Sequence, residues 1–506
     1  MILGPHSGVD VLFENKIDDE GVETWINADL IAVVEAEGML SSIRRLTGHD
    51  SSSWIFGWGP NKGQIGTDLD SIHRFSLRNV GIAGLAILHL RPAKTTEHPI
   101  LPTEESALFG EQSPHMLSVP SIGKKLTLHG SGFGLIAPSV LINNISQGVV
   151  ANIVHPYRAA RRVDEQANSL VLTDAKFLPG MEGGAVSWDE TGELAGLSML
   201  PIRRTDGEPV DISLVIPVAC LISAISPYIS VSRQPLLPKH IDSLNKTTLI
   251  DARQAVVMVQ VGQTWASGVV ISKHGHILTN AHVFTSFLDN ISNRTWPNLR
   301  SGISLRVRID SPQQQQWVDD CEVVFVSESC WDVALIKIPE TCVLKGFLPF
   351  LPLRTKDELS RVKPLKKGSP LFAIGHGIFG PSSGILPLIT SGICSKVVTY
   401  NQQPVMLLSS APVHRGNSGG VLITTDGHFA GLVTGNGKTS TGRTITHLNF
   451  AIPLEALTDA VNAYLVDENR NWLDKLNMPP PRIGDIWSLR GTAPAWEPIE
   501  KAPSKL

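Results

Sequence analysis

The sequence predicts an all-β chain in which one fold occurs twice, with the first copy degenerate. Two observations carry this. Runs of four to eight Val, Ile and Leu residues recur between turn residues, in a chain of 506 residues with 44 glycines and 34 prolines. The motifs of the second half also return in the first, about 240 residues upstream. Gly180-Met181-Glu182-Gly183-Gly184 matches Gly416-Asn417-Ser418-Gly419-Gly420, and Val215-Ile216-Pro217 matches Ala451-Ile452-Pro453. Nearer the N-terminus, Gly130-Ser131-Gly132 pairs with Gly375-His376-Gly377, Gln147-Gly148 with Ser391-Gly392, and Gly84-Leu85-Ala86 with Asp332-Val333-Ala334. The offset drifts in one direction, as loop-length changes between two copies would make it.

Residues 1–235 are read as the degenerate copy. Glu182 stands where the second copy has Ser418, and Gly84 where it has Asp332. No counterpart of Thr279-Asn280-Ala281-His282-Val283 is found, and Trp25-Ile26-Asn27-Ala28-Asp29-Leu30 is only faintly similar. A carboxylate at Glu182 would face oxyanion-type N–H groups, block attack chemistry and occupy the hole as a fixed anion. This half is then a scaffold covering the active one or a docking surface, with scaffold preferred. Residues 236–251, with Pro238 and scattered polar side chains, read as a linker.

Residues 252–466 carry the chemistry. A strand-like run, Gly268-Val269-Val270-Ile271, and the turn Lys273-His274-Gly275 lead to His282. Asp332 heads the apolar strand Val333-Ala334-Leu335-Ile336, and the glycines of His414-Arg415-Gly416-Asn417-Ser418-Gly419-Gly420 allow a tight turn around Ser418. In this arrangement Ser418 attacks a carbonyl, His282 takes its proton and passes it to the leaving group, and Asp332 fixes the imidazole tautomer. Backbone N–H groups of Gly416, Asn417 and Ser418, with Gly416 and Ser418 foremost, are the expected oxyanion hole. His274 and His276 sit in a polar turn and are read as solvated, and no apolar strand directly follows Asp319 or Asp320. The segment from Pro453 to Val461 has helical spacing, and residues 467–506 read as a tail.

Composition bounds the partners. Apolar residues make up 42% and charged ones 18%, an ordinary globular balance. A net charge of −4 and a pI near 6.5 give no electrostatic case for nucleic acid or anionic membrane. No run of apolar residues is long enough for a spanning helix, and the first residues lack the apolar core of a secretory signal. The five cysteines (Cys220, Cys321, Cys330, Cys342, Cys394) are odd in number and lack metal-site spacing. They are read as free thiols in a non-oxidising compartment. No metal and no cofactor is expected, since triad chemistry needs none. The closing tripeptide Ser504-Lys505-Leu506 has the form read by the peroxisomal import receptor.

The order His282, Asp332, Ser418 is that of chymotrypsin-like enzymes. The motifs at Thr279–Val283, Asp332–Leu335, Arg415–Gly420 and Asn449–Pro453 resemble the Deg/HtrA branch of trypsin-like proteases. With two such halves, no room for a PDZ domain and the closing Ser-Lys-Leu, the chain resembles the peroxisomal leader peptide-processing protease family. That resemblance implies two tandem trypsin-like double β-barrel domains. It implies a peroxisomal matrix enzyme, glyoxysomal in a plant. Its substrates would be precursor proteins, cut after type 2 import leaders near a cysteine, and some β-oxidation enzymes. A Deg/HtrA-like quality-control protease is the alternative, and Deg/HtrA relatives form trimers, so a homo-oligomer is compatible. Substrate would pair beside Leu432-Val433-Thr434-Gly435. His414, Val433, Thr434 and Asn449 are the candidate substrate contacts, His414 facing either substrate or solvent. No Asp lies at Pro412-Val413-His414, which argues against an Arg- or Lys-selecting pocket.

Overall fold

The computed structural model describes residues 9–17, 20–36, 39–47, 53–56, 84–90, 120–133, 144–155, 169–228, 246–289, 297–310, 315–343, 348–439 and 442–489. The first half holds strands β1 (Val9–Ile17) and β2 (Glu20–Glu35), helix α1 (Met39–Thr47), then β3 (Trp54–Phe56), β4 (Gly84–Leu90) and β5 (Lys125–Gly130). It continues through β6 (Asn144–Val154), β7 (Leu170–Thr173), β8 (Ala185–Trp188), β9 (Leu194–Ser198), β10 (Ile202–Arg204), β11 (Ser213–Pro217) and α2 (Val218–Ile225). The second half opens with α3 (Lys246–Gln254), β12 (Val256–Val261), β13 (Thr264–Val270), β14 (His276–Thr279), α4 (His282–Thr285), β15 (Leu305–Asp310), β16 (Gln315–Val318), β17 (Glu322–Val326) and β18 (Ala334–Lys337). Short helices α5 (Glu340–Val343) and α6 (Lys356–Ser360) lead to β19 (Pro370–Gly375), β20 (Leu388–Tyr400), β21 (Gln403–Ser409), β22 (Val421–Thr424), β23 (Phe429–Lys438) and β24 (Thr444–Pro453). Helix α7 (Leu454–Asp467), a 3₁₀ helix over Arg470–Asn477 and α8 (Pro481–Trp487) follow.

The strands close into two barrels with one topology. In the first half the order around the barrel is β5-β6-β7-β11-β9-β8; in the second it is β19-β20-β21-β24-β23-β22. The two orders correspond strand for strand once β10 is set aside. Each barrel ends in a proline, Pro217 or Pro453, that caps the helix packed after it. Proline suits this place because the first helical N–H groups have no intrahelical partner. The second copy adds a seven-stranded sheet, β16-β15-β12-β13-β14-β18-β17, whose β12 is buried along almost its whole length. The first copy keeps three strands there, β1-β2-β4. The expected all-β fold, two tandem trypsin-like copies with the first degenerate, is borne out.

The halves meet along β6 and β20. β6 alternates over its first residues and becomes buried from Val149, where it turns inward to this junction. Asp174 of the first half accepts the Ser391 backbone N–H at 2.5 Å and its hydroxyl at 2.9 Å, as well as the Val149 N–H at 2.7 Å. Burial pushes this carboxyl upward, and the three donors oppose that. Arg253 donates to Pro387 O and to Asn152 Oδ1, and Asn152 donates to Leu386 O.

Four expectations need correction. Helix α3 begins at Lys246, inside the segment read as linker. The residues read as a tail are docked as far as Leu489: Leu473, Leu476 and Ile483 are buried in the core of the second half, and Trp487 Nε1 donates to Val405 O. Leu473 and Leu476 stand three apart on one face of an eight-residue 3₁₀ helix, a segment too short to read as part of a domain. His276 is buried, not solvated. Its Nδ1 pairs with Ser272 Oγ at 2.8 Å, and burial with the nearby Lys337 charge lowers its pKa to about 4. Finally, the His282 segment, for which no counterpart was expected, has a topological one, and it lies beyond the faintly similar Trp25–Leu30. β2 pairs with β4 so that Val33 faces Ala86, as Thr279 faces Ala334. Three residues on, Ala36 therefore holds the place of His282, and it is fully buried.

No disulfide joins any of the five cysteines. No helix among the described residues is long and apolar enough to cross a membrane.

Candidate active site

β14 and β18 lie side by side and bring their ends to one place, so that His282 opens α4 just beyond Thr279 and Asp332 precedes Ala334. Asp332 Oδ2 lies 2.8 Å from His282 Nδ1, and Oδ1 accepts the His282 backbone N–H at 2.9 Å. The Asp332 carbonyl in turn accepts Ala281 N–H at 3.2 Å and Asn280 Nδ2 at 2.8 Å. This clasp holds Asp332 at φ +46, a left-handed conformation that side-chain-bearing residues adopt at a cost. Because Oδ2 can only accept, it places the proton on Nδ1 and leaves Nε2 with its lone pair. Nε2 is the atom a general base needs.

The nucleophile turn is fixed to the same sheet by Ser267 of β13. Its N–H donates to Ser418 O at 2.8 Å, and its carbonyl accepts the Thr279 hydroxyl at 2.7 Å. Its hydroxyl donates to Gly416 O at 2.7 Å and accepts His376 N–H at 2.7 Å. One buried serine thus ties the strand that leads to His282 to the loop that carries Ser418. Sequence reading missed it. A lone serine inside the apolar run Ala266–Val270 was the available signal, since a buried hydroxyl requires partners. Glycine is needed at two places in the turn. Gly416 has φ +92 and Gly419 φ +80, and a Cβ on Gly416 would collide with the Trp265 ring and the His376 carbonyl.

The Arg415 carbonyl accepts Ile378 N–H at 2.7 Å. In a trans peptide the N–H points opposite to the carbonyl, so the Gly416 N–H is turned the other way. Among the described residues, the N–H groups of Gly416 and Ser418 have no protein acceptor. The Asn417 N–H, also expected as an oxyanion donor, is instead used inside the turn, donating to His414 O at 3.0 Å. The candidate oxyanion hole thus comes down to two donors, the N–H groups of Gly416 and Ser418. The Ser418 hydroxyl donates to Thr434 O at 3.1 Å.

Of the four expected substrate contacts, only Thr434 is hydrogen-bonded to the Ser418 hydroxyl. It sits where the β23–β24 register shifts, with the open Gly435 beside it. Val433 is buried with its N–H bonded to Gly420 O and its carbonyl to Gly419 N–H, so neither is left for a substrate strand. Asn449 is buried and donates to Ser409 O and Ala411 O. His414 does not face solvent. It is buried, and its Nε2 accepts Asp211 N–H from the first half at 3.2 Å. Burial lowers its pKa to about 4, with the His447 charge adding to the shift and Asp211 opposing it.

The degenerate copy keeps the frame of this turn without its chemistry. Phe133 N–H donates to Pro179 O at 2.7 Å, as Ile378 does to Arg415 O, and Met181 N–H to Leu178 O at 3.0 Å, as Asn417 does to His414 O. Gly180 has φ +99. The Glu182 carboxylate accepts the Gly180 N–H at 2.8 Å, so the donor equivalent to that of Gly416 is occupied from within. Among the described residues, no group of His, Cys, Asp and Glu could hold a metal ion.

A trypsin-like peptidase domain model matches residues 266–432, a span that contains His282, Asp332 and Ser418. Fold and match define the class: the chain is a trypsin-like serine endopeptidase. Over nearly its whole length it is also similar to the human peroxisomal leader peptide-processing protease, at 28% identity over 502 residues, 95% of this chain and 77% of that one. The mouse protein of the same name is 29% identical over 395 residues, 76% of this chain and 62% of its own length. The serine endoprotease DegS of Salmonella typhimurium is 29% identical over 211 residues, 40% of this chain and 49% of that one. The resemblance read from the motifs, to the peroxisomal processing proteases and more distantly to the Deg/HtrA proteases, therefore holds.

Proposed function

We propose that the chain is a peroxisomal processing endopeptidase that removes N-terminal leader peptides from precursor proteins, with His282, Asp332 and Ser418 as its triad. The observation that carries the chemistry is the double clasp of Asp332 on the His282 backbone and ring. Ser418 Oγ attacks the scissile carbonyl as His282 Nε2 takes its proton. The new oxyanion lies between the Gly416 and Ser418 N–H groups. His282 then protonates the leaving amine, and the acyl-enzyme forms. Water enters, His282 removes its proton, and the second tetrahedral species collapses to acid and free serine. The substrate chain pairs beside Thr434 and Gly435.

The similarity to peroxisomal leader peptide-processing proteases supports the substrate class and the compartment. The finer reading is cleavage near a cysteine after type 2 leaders, together with processing of β-oxidation enzymes in the matrix. Ser504-Lys505-Leu506, outside the described residues, would engage the import receptor. The absence of Asp from Pro412–His414 fits a small or moderately polar residue before the cut. The test is cleavage of a purified type 2 precursor, read by mass spectrometry with Ser418→Ala as control. One cut beside the leader cysteine, lost in the mutant, is the expected result. Scattered cuts that appear only after the precursor is unfolded would replace this reading with quality control.

A further inference from the structure

We propose that the degenerate half completes the catalytic site of the active half: the β10–β11 connection, residues 205–212, is the brace that holds the oxyanion-hole peptide between Arg415 and Gly416. This rests on the reading of Ser418 as the nucleophile. The hole exists only while the 415–416 peptide keeps its plane, because turning that plane over would aim a carbonyl where the donor must be. Three contacts set the plane. Ile378 N–H takes the Arg415 carbonyl at 2.7 Å, and Asn417 N–H takes the His414 carbonyl at 3.0 Å. The third comes from the other half, where Asp211 N–H is accepted by His414 Nε2 at 3.2 Å.

The brace is itself rigid. Arg204 grips Asp206 through Nε at 3.0 Å and through a second nitrogen at 2.6 Å, and lies 3.4 Å from Glu208. Glu208 N–H donates to Asp206 Oδ1 at 3.0 Å, and Lys176 pairs with Asp211 at 3.0 Å. At the rim the Arg415 guanidinium stands 4.0 Å from Glu208, a contact 70% exposed on the arginine side and therefore weak. The ring of His414 is the buried link. Its Nδ1 has no partner among the described residues, so burying it has a cost that the turn alone does not require.

The first copy shows that the turn does not require it. Leu178 and Pro179 occupy the places of His414 and Arg415, and the same two backbone bonds close that turn. Polar side chains stand at these two positions only in the copy that has Ser418, and both reach toward the other half. His414 and Asp211 are positioning residues, since neither touches the reacting atoms.

The test uses the full chain. In His414→Leu the residue that serves at this place in the first copy removes the acceptor; Asp211→Pro removes the donor. Each is expected to lower kcat by about 10² to 10³, the effect of losing one oxyanion donor, with KM nearly unchanged. Affinity for a peptide aldehyde, whose hemiacetal oxygen sits in the hole, falls in step, while affinity for the product peptide holds. His414→Gln, which restores an acceptor, recovers most of the lost kcat. Three results would overturn the proposal. Wild-type kcat and aldehyde affinity in both variants is one. A rise in KM at constant kcat, marking His414 as a substrate contact, is another. The third is a lower Tm with kcat intact, marking a structural role alone. Failure of the parent reading looks different: the wild-type protein itself would not react with a fluorophosphonate at Ser418.

Discussion

Asp332→Asn isolates what the clasp on His282 does. The His282 backbone N–H, 2.9 Å from Oδ1, can only donate, so the asparagine oxygen must remain on it. The amide nitrogen then takes the place of Oδ2, 2.8 Å from Nδ1, and it too can only donate. Nδ1 is forced to accept, and the proton moves to Nε2. His282 would present an N–H to Ser418 where a lone pair is needed. Such a tautomer error costs about 10⁴ in kcat in triads of this kind, or about 5.4 kcal/mol of barrier. Stability should change by only about 1 kcal/mol. Asparagine tolerates the left-handed φ of +46 as well as aspartate does, and one charge-assisted bond is lost at a half-open site. Steady-state peptide cleavage gives kcat, and urea unfolding gives stability. A kcat within tenfold of wild type would refute the argument that Asp332 sets the tautomer. So would a large loss of stability accompanying the loss of rate, which would mean that the site had simply come apart.

Four further outcomes follow from the same geometry. Ser267→Ala leaves the Gly416 carbonyl and the His376 N–H without partners in the core; unfolding should become easier by about 2 to 3 kcal/mol, with a fall in kcat, and unchanged stability by calorimetry would contradict the hub. Arg308 and Asp310 are a buried pair at 2.9 Å, with His376 against the carboxylate at 3.3 Å. Arg308→Met should cost about 3 to 5 kcal/mol, and adding Asp310→Leu should recover much of it, so a double mutant no better than the single in urea would count against the pair. Burial lowers His276 and His414 to about 4 from an ordinary 6.5, so the unfolded chain takes up protons first. Their contribution to stability is full above about pH 6.5 and drains as pH falls toward 4, by about 3 kcal/mol each at most; a Tm that is flat across that window would exclude it. Glu182→Ala should leave turnover nearly intact, and Glu182→Ser in a Ser418→Ala background should stay unlabelled by fluorophosphonate, because Gly84 and Ala36 stand where the acid and base would be.

The sequence made the barrels and the turn around Ser418 legible for a physical reason. A nucleophile turn needs glycine at fixed places, and barrel strands need apolar runs between turns, so both leave local marks. What it hid is long-range. Ser267 looks like any strand serine until its four bonds to Thr279, Gly416, His376 and Ser418 are seen. His414 read as a pocket or solvent residue because nothing local announces that Asp211, from the other copy, covers it. Val433 and Asn449 lie near the site in sequence, yet strand pairing and carbonyl acceptors turn them inward. The stretch after Asp467 is made of segments too short to announce a domain, and it still packs, through Leu473, Leu476 and Ile483.

The two copies separate what the fold supplies from what the chemistry adds. Both turns carry positive φ at the first glycine, both give the preceding carbonyl to a neighbouring N–H, and in both the residue after that glycine donates its N–H to the carbonyl two residues before the glycine. These features survive with Glu182 in place of Ser418, so they belong to the barrel and not to catalysis. In the first copy the Gly180 N–H ends on a carboxylate two residues away. In the second, Gly416 N–H has no protein acceptor among the described residues. An unpartnered donor in a concave, glycine-lined turn is costly to keep. The first copy satisfies it internally; the second keeps it open, its loop held by Ser267 and by His414, where the first copy has Leu178. That difference in hydrogen bonding accompanies the replacement of Ser418 by Glu182, of Asp332 by Gly84 and of His282 by Ala36.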